Sequence, residues 1–382
     1  MFFEGGLKPL VSSVLTHQNP LYVQFYVTAR CNLRCQQCNI IYGFGDQEEC
    51  SIEQIQMIAT NLAAIGTSVV LLTGGEPFAR ADLPEIAQAF IAKGIHPRIQ
   101  TNGFASNEAL QRAVDYGVHD ISISLDSLNP HQQDEINGGF EDSWQSALSK
   151  VAFINSNFPS DSFCAFGCVL SPHNIDQIIP VVKFATEIGW WMSIVPAHQS
   201  PVTEPRSFAT YDEKLVFRPD QYSRIATLVS ELKQMKRSGF NLYDSDEYLD
   251  DVVRYITRSP IHWRRRNSNS CDSPNLYFAI QPNGDMGICC DYRLGTRYSV
   301  YHKEFPKWYQ EHRMFDEARA TTSTCSGCMY GSYPEISISA RYLRPMLQRG
   351  ALFLRKSSGK KLNPISYEEL IDLARHFSSG TA

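Results

Sequence analysis

Three cysteines on one short loop, Cys31, Cys35 and Cys38, sit in the run Ala-Arg-Cys-Asn-Leu-Arg-Cys-Gln-Gln-Cys. Thiolates at C-x3-C-x2-C spacing can hold three irons of a 4Fe–4S cube and leave the fourth iron without a protein ligand. An open iron binds something else, usually a participant in the chemistry. The competing reading is a zinc knuckle, against which stands the lack of an obvious fourth ligand nearby. Further along, the apolar run Val69-Val70-Leu71-Leu72-Thr73 ends in Gly74-Gly75-Glu76-Pro77. Two glycines let a ligand approach the backbone closely, and the glutamate can accept bonds from an ammonium group.

A second set comprises Cys271, Cys289, Cys290, Cys325 and Cys328. Two apolar segments, Leu276–Gln281 and Met286–Cys289, flank Pro282-Asn283-Gly284-Asp285, and Asn-Gly between apolar runs is a hairpin signal. The hairpin draws Cys271 towards Cys289, and the C-x2-C of Cys325 and Cys328 completes four ligands. Four thiolates saturate either zinc or a 4Fe–4S cube, and the spacing does not choose between them. Gly284-x4-Cys favours Cys289 over Cys290 as the ligand.

Alternating strands and helices must position these groups. Leu21–Val27 is rich in aromatic and β-branched residues and reads as a strand leading into the cysteine loop. Ser51 with Gln54 makes a capping box for a helix whose apolar face is Ile55, Ile58, Ala59, Leu62 and Ile65, closed by Gly66. Asp82 is expected to cap the next helix. Strands then follow at Arg98–Gln100, Asp120–Leu125, Phe163–Leu170 and Trp191–Val195, with helices at Glu108–Asp115, Ser143–Ile154 and Ile175–Ile188 between them. Crossovers of this length require parallel strands, and six such units form an α/β partial (β/α)6 TIM-like barrel. Its chemistry belongs on the loops at the strand C-terminal ends, where the cysteine loop and Gly74-Gly75-Glu76 both fall. The expected division is an N-terminal extension (1–20), the barrel (21–200), a helical bridge with a helix at Pro219–Ser238 (201–268), a small β-hairpin and helix auxiliary-cluster domain (269–335) and a helical tail (336–382).

The cysteine triplet followed by strand-GGEP resembles the radical S-adenosylmethionine (SAM) superfamily. The resemblance implies that the amino and carboxylate groups of SAM chelate the open iron, with Gly74, Gly75 and Glu76 against the methionine. Reductive cleavage then yields a 5′-deoxyadenosyl radical that abstracts a substrate hydrogen. It also implies that Ser124 bonds the SAM ribose or carboxylate, that Asn102 lies at the same barrel end, and that Ile194 and Val195 pack adenine. Two positions depart from the family pattern. Gln37 stands where an aromatic residue usually precedes the third cysteine, and Asn137 stands where an arginine often holds the SAM carboxylate.

The second cysteine set is similar to the twitch form of the SPASM extension, which holds one auxiliary 4Fe–4S cluster on four cysteines, here Cys271, Cys289, Cys325 and Cys328. In some relatives an aspartate just after an auxiliary-cluster cysteine acts as base, which marks Asp291. Cys164 and Cys168 lie four apart on one strand and share a face. They are either barrel core or thiol hydrogen donors. His198 and Tyr330 rank behind them, and Cys50 looks incidental.

The net charge of −5 gives no global reason to expect nucleic acid, and 43% hydrophobic residues support a real core. The Arg264-Arg265-Arg266 run reads as solvated surface. No run of roughly 18 apolar residues marks a membrane span, and the N-terminus lacks a secretion signal. Eleven cysteines in metal-like spacings argue for a reducing, cytoplasmic setting. From Arg341 to Lys361 there are seven Arg or Lys and no Asp or Glu, a basic amphipathic stretch that is either a packed terminal helix or a dock for an acidic partner. The resemblance to twitch and SPASM enzymes, which often act on peptides, makes the leading expectation an enzyme that modifies a ribosomally made peptide by cross-linking, epimerisation or splicease-type excision. It would need an external one-electron donor of flavodoxin or ferredoxin type. With no extra N-terminal domain to hold a leader peptide, it would also need a separate recognition protein. The alternative is oxidation or rearrangement of a sugar, nucleoside or aminocyclitol, and a third class is a non-catalytic iron–sulfur protein.

Overall fold

The computed structural model describes residues 19–43, 45, 47–198, 213–264, 271–325, 327–354 and 362–379. Residues 1–18, Pro201, Pro205, Arg265, Arg266 and the Lys and Arg residues of 355–361 lie outside the described residues.

Eight strands form one sheet in the order β6-β5-β4-β3-β2-β1-β7-β8. The first six are β1 (Tyr22–Thr28), β2 (Val69–Gly74), β3 (His96–Thr101), β4 (Asp120–Ser124), β5 (Phe163–Leu170) and β6 (Trp191–Pro196). They pair in parallel, each with the next. The crossovers carry α1 (Ile40–Gly43), α2 (Ile52–Ala64), α3 (Leu83–Ile91), α4 (Asn107–Asp115), α5 (Pro130–Ile136), α6 (Ser143–Asn157) and α7 (Ile178–Glu187). The capping box of Ser51 and Gln54 forms on α2. Asp82 makes no capping bond on α3. Its carboxylate instead takes Arg80 at 2.9 and 2.6 Å, and Arg80 donates to the carbonyls of Val27 and Cys50. A buried guanidinium with carbonyl partners outcompetes a solvent-exposed cap bond. The helix expected from Ile175 opens as a 3-10 turn, Ile175–Gln177, before α7.

Side-chain alternation gives the sheet two different faces. Val23, Phe25, Val70, Leu72, Ile99, Ile121, Ile123, Phe166 and Met192 are buried in the core between sheet and helices. Phe166 stacks there on Trp190 and Phe184, with ring centroids 4.7 and 5.9 Å apart. The opposite face turns Gln24, Thr73, Gln100, Ser124, Gly167 and Ser193, one residue from each of β1 to β6, towards a single cavity. Six strands lining one cavity means that the sheet wraps around it, as a partial barrel does.

After the barrel come α8 (Tyr222–Arg237) and α9 (Asp246–Ile256). The hairpin then joins the barrel sheet itself. Strand β7 (Tyr277–Ile280) pairs in parallel with β1, Tyr22 opposite Tyr277, and β8 (Met286–Gly287) turns back antiparallel. Gly284, at φ 81°, turns the hairpin; a Cβ there would meet Cys50 Sγ at 2.8 Å and the Tyr301 ring at 2.6 Å. Cys50 is thus part of the packing that joins the hairpin to the barrel. The remaining helices are α10 (Phe305–Gln310), α11 (Phe315–Ser323), α12 (Tyr333–Arg341), α13 (Leu343–Leu354) and α14 (Tyr367–Ser378). No helix among the described residues is long and apolar enough to cross a membrane.

Candidate active site

The cysteine loop leaves β1 and folds over the end of the cavity. Cys31, Cys35 and Cys38 all line it, together with Gly74, Gly75, Asn102, Ser124, Asn137 and Val195. The two glycines are fixed by close approach. A Cβ on Gly74 would lie 2.1 Å from the Thr28 carbonyl oxygen, and one on Gly75 would lie 2.2 Å from that of Arg30. Real side-chain carbons do not come so near, so only glycine lets β2 and the cysteine loop pack at this distance. The Gly75 and Glu76 N–H groups donate to those same carbonyls at 2.9 and 2.8 Å.

Glu76 is 3% exposed. Its carboxylate accepts the N–H groups of Phe78 (2.9 Å) and Asn102 (2.7 Å) and the Thr101 hydroxyl (2.8 Å). Burial nevertheless pushes its pKa up to about 7. A buried carboxyl held so close to neutrality suits a cationic ligand group, which would restore its charge.

Asn102 and Asn137 hold the loop from opposite sides. Asn102 Nδ2 donates to Asn32 Oδ1 at 2.9 Å and lies 3.7 Å from Cys31 Sγ. Asn137 Oδ1 accepts from Cys35 Sγ at 3.5 Å, and its Nδ2 donates to Ser143 at 2.8 Å. Gly138, at φ 86°, packs under the loop, where a Cβ would meet the Arg34 carbonyl oxygen at 2.3 Å. The sequence reading missed this clamp. Its signal was the Asn-Gly pair ending α5.

The thiols fit a metal cluster. The Leu33 N–H points at Cys31 Sγ at 3.4 Å, and the Ile40 N–H also serves Cys38. Burial raises all three thiol pKa values, Cys38 to about 11, and the nearby Cys31 adds to the rise at Cys35 and Cys38. Buried thiols that disfavour ionisation become thiolates when a cation binds them.

Gln37, in the place of an aromatic residue, faces the cavity and donates to Asp126 Oδ2 at 3.4 Å. Asp126 also accepts the Val169 N–H at 2.6 Å, and burial lifts its pKa to about 6. Ser124 accepts from Gln100 at 3.1 Å. Of the pair expected against adenine, Val195 lines the cavity, whereas Ile194 belongs to the helix-side core because neighbours on a strand alternate. Cys164 and Cys168 are on that same core side, 0% and 1% exposed. Cys168 borders the cavity, but its sulfur is tied to Asn174 Nδ2 at 3.5 Å. The register of β5 therefore favours core over hydrogen donation for both.

The second cysteine set converges beside the barrel. Cys271, Cys325 and Cys328 each feel the charge of Cys289. Backbone N–H groups point at the sulfurs: Ser273 to Cys271 at 3.2 Å, Tyr292 to Cys289 at 3.4 Å and Gly327 to Cys325 at 3.4 Å. A hydrogen bond from Cys290 lowers the Cys289 pKa, whereas burial drives that of Cys290 well up. This arrangement fits four thiolate ligands that include Cys289. The Cys290 sulfur also lies within 4.8 Å of ligand atoms of both His198 and Asp291. Asp291 is bound to His198 Nε2 at 2.7 Å, and neither residue lines the cavity. Tyr330 stands there instead. Its hydroxyl bonds Tyr26 at 2.6 Å and Gln24 at 2.7 Å, and its ring lies 5.9 Å from that of His198.

Residues 25–185 match the sequence model of the radical SAM superfamily. A probable GTP 3′,8-cyclase of Methanococcus maripaludis is 28% identical over 175 residues, which is 44% of this chain and 56% of that protein. The chain thus spans little more than half the length of that relative. A GTP 3′,8-cyclase of Saccharophagus degradans is 25% identical over 297 residues, 73% of this chain and 80% of that one. The crystal structure of Streptococcus suis SuiB shares the fold at a TM-score of 0.60 and 18% identity, covering 82% of this chain and 71% of SuiB. A family match over the strands and loops that carry the triplet and Gly74-Gly75-Glu76, on a barrel built to that plan, leads to one assignment. The stretch from residue 25 to residue 185 is a radical SAM domain.

Proposed function

We propose that this enzyme abstracts hydrogen from a peptide substrate held in the barrel cavity. A 4Fe–4S cluster with bound SAM supplies a 5′-deoxyadenosyl radical. Cys31, Cys35 and Cys38 would hold that cluster, and Glu76 would accept a hydrogen bond from the SAM amino group. Gly74 and Gly75 give the methionine room beside the backbone. Ser124 and Val195 would contact the nucleoside half. Cys271, Cys289, Cys325 and Cys328 would hold an auxiliary 4Fe–4S cluster, with zinc as the competing occupant.

The single observation that carries the substrate reading is the cavity wall. It encloses about 290 Å³ and is lined by Gln24, Gln100, Ser122, Ser124 and Ser193 among others. Among the described residues its carboxylates are Asp126, Asp244 and Glu335, and its one cationic side chain is Arg98. That guanidinium already lies over the Phe163 ring at 4.7 Å and beside Asp120 at 3.9 Å. A triphosphate needs several cationic groups, and this wall offers neutral amides and hydroxyls instead. SuiB, whose fold the chain shares, is described bound to the precursor peptide SuiA. The second reading, a small-molecule substrate, draws its support from the relatives named GTP 3′,8-cyclase.

The test is anaerobic incubation of reconstituted protein with SAM and dithionite, together with either GTP or a short peptide encoded beside its gene. Peptide-dependent 5′-deoxyadenosine with a mass change or epimerisation of the peptide supports the proposal. Conversion of GTP, with the peptide untouched, replaces it with the second reading. Asp291 would serve as base only through a substrate that displaces its bond to His198. A separate peptide-recognition protein and an external one-electron donor belong to the same proposal.

A further inference from the structure

Two carboxyl groups share one stretch of the cavity wall and take no part in holding SAM or the clusters. Asp244, in the link between α8 and α9, is 1% exposed, and Glu335, on α12, is 3% exposed; both line the cavity. The Asp244 carboxylate accepts the Ser193 hydroxyl and the Ile194 N–H, each at 2.8 Å. Glu335 accepts the Ser245 N–H with Oε1, which sets it beside Asp244. Its Oε2 is buried and accepts no hydrogen bond among the described residues.

Buried carboxylates are ordinarily matched by cations. Here the cations behind the wall are engaged elsewhere. Lys236 gives its ammonium to the Asp244 backbone carbonyl and pairs with Asp246 at 3.7 Å. Arg349 stands 3.5 Å from Glu335 Oε2 without donating to it, bonds the Tyr243 hydroxyl at 2.6 Å and lies over that ring at 4.3 Å. Neither side chain lines the cavity. Arg98, which does, is held by the Phe163 ring and Asp120. Among the described residues no ion pair forms at the Asp244 carboxylate. A carboxylate buried with neutral donors alone, on the wall of a cavity, keeps its charge unmatched until a ligand brings a cation. The reacting end of the cavity is near. Ser193 and Val195 share a face of β6 about 7 Å apart, within the reach of a long basic side chain, and Val195 is the proposed nucleoside contact.

We propose that Asp244 and Glu335 receive the ammonium or guanidinium end of a basic side chain of the substrate, whose methylene carbons then face the SAM end of the cavity. The proposal rests on the peptide reading above and narrows it to a peptide with lysine or arginine at the reacting position. Burial and the charge of Glu335 lift the Asp244 pKa to about 7. Lys236, Tyr248, Arg349 and Cys168 face it as well. Only the ionised carboxyl attracts a cation, so affinity for a basic group falls as pH drops below about 7.

The test uses anaerobically reconstituted full-length protein with saturating SAM and no reductant, so that Glu76 is already engaged. Equilibrium dialysis compares Nα-acetyl-lysine amide and Nα-acetyl-arginine amide with Nα-acetyl-norleucine amide, an uncharged probe of similar length. At pH 8 at least one basic probe should bind at least tenfold tighter than the norleucine probe, and most of that preference should vanish at pH 6. Asp244→Asn should abolish it at pH 8 and leave norleucine-probe binding unchanged. The new amide can still accept the Ile194 N–H and donate to the Ser193 hydroxyl. If this variant melts early, the pH comparison in the wild type decides the matter. No binding of either basic probe, no preference over norleucine, a preference that persists at pH 6, or one kept in folded Asp244→Asn overturns the proposal. So does a preference lost in Asp126→Asn instead, which would move the cation to the other end of the cavity. Failure of the wild type to form 5′-deoxyadenosine with dithionite would instead remove the functional reading beneath it.

Discussion

If Glu76 accepts a hydrogen bond from the SAM amino group, its titration must contribute to the pH dependence of SAM affinity. Its carboxyl is buried, with a pKa raised to about 7. Only the ionised form accepts that N–H with its full charge, so binding must first expel the proton wherever pH is below that value. Affinity then rises with pH, by about tenfold from pH 6 to pH 8, and flattens above. The stability effect of the free protein has the opposite sign. A folded pKa raised above the unfolded value gives a contribution that is full below about 4.5 and lost as pH rises through about 7, on the order of 3 kcal/mol. Glu76→Gln removes the titration. One carboxylate oxygen becomes an amide nitrogen, which would face either the Asn102 N–H or the donors from Phe78 and Thr101. That buried donor–donor clash costs about 1–3 kcal/mol and offsets the relief of losing a buried charge. Stability is therefore a poor readout and SAM binding a good one. Calorimetric titration of reconstituted protein with SAM at several pH values should show the slope in wild type. The variant should show a shallower profile and an affinity at pH 8 lower by about tenfold or more. A flat wild-type profile, or an undiminished slope in Glu76→Gln, refutes the assignment.

Gly75→Ala forces a Cβ against the Arg30 carbonyl oxygen, so the cysteine loop must shift; thermal melting should show a loss of about 1–3 kcal/mol, and iron retention should fall. A wild-type melting curve would show that the close approach is not enforced. Serine in place of any one of Cys271, Cys289, Cys325 or Cys328 should lower reconstituted iron from about eight to about four atoms per chain, whereas Cys290→Ser should leave it unchanged. Iron lost from Cys290→Ser but kept in Cys289→Ser would exchange the two roles. Phe166→Ala removes a ring stacked between Trp190 and Phe184 and should cost about 3–5 kcal/mol in urea unfolding, with a smaller loss implying that the core collapses around the gap.

Local patterns in the sequence carried much of this structure. Strand β5 follows its apolar run from Phe163 to Leu170, and the capping box at Ser51 forms as its spacing requires. The cysteine triplet and Gly74-Gly75 meet at one end of the cavity, with Glu76 buried just behind, because both leave the C-terminal ends of adjacent parallel strands. What stayed hidden depends on partners far apart in the chain. Asp291 bonds His198 across 93 positions, so its neighbourhood to Cys290 said nothing about where its carboxylate points. The parallel pairing of β7 with β1 spans an even longer separation, and no hairpin signal encodes which strand edge the hairpin will join. Arg98 entered the cavity wall from a strand read only for its apolar neighbours. The side assigned to Ile194 turned on a one-residue register, the quantity that a run of apolar residues specifies least.

The most direct test of the central claim is 5′-deoxyadenosine formation by anaerobically reconstituted protein given SAM and dithionite, with the iron content measured on the same sample. The account predicts iron in the protein, 5′-deoxyadenosine from wild type, and none from the chain with alanine at positions 31, 35 and 38. Zinc in place of iron, or cleavage undiminished in the triple variant, would contradict it.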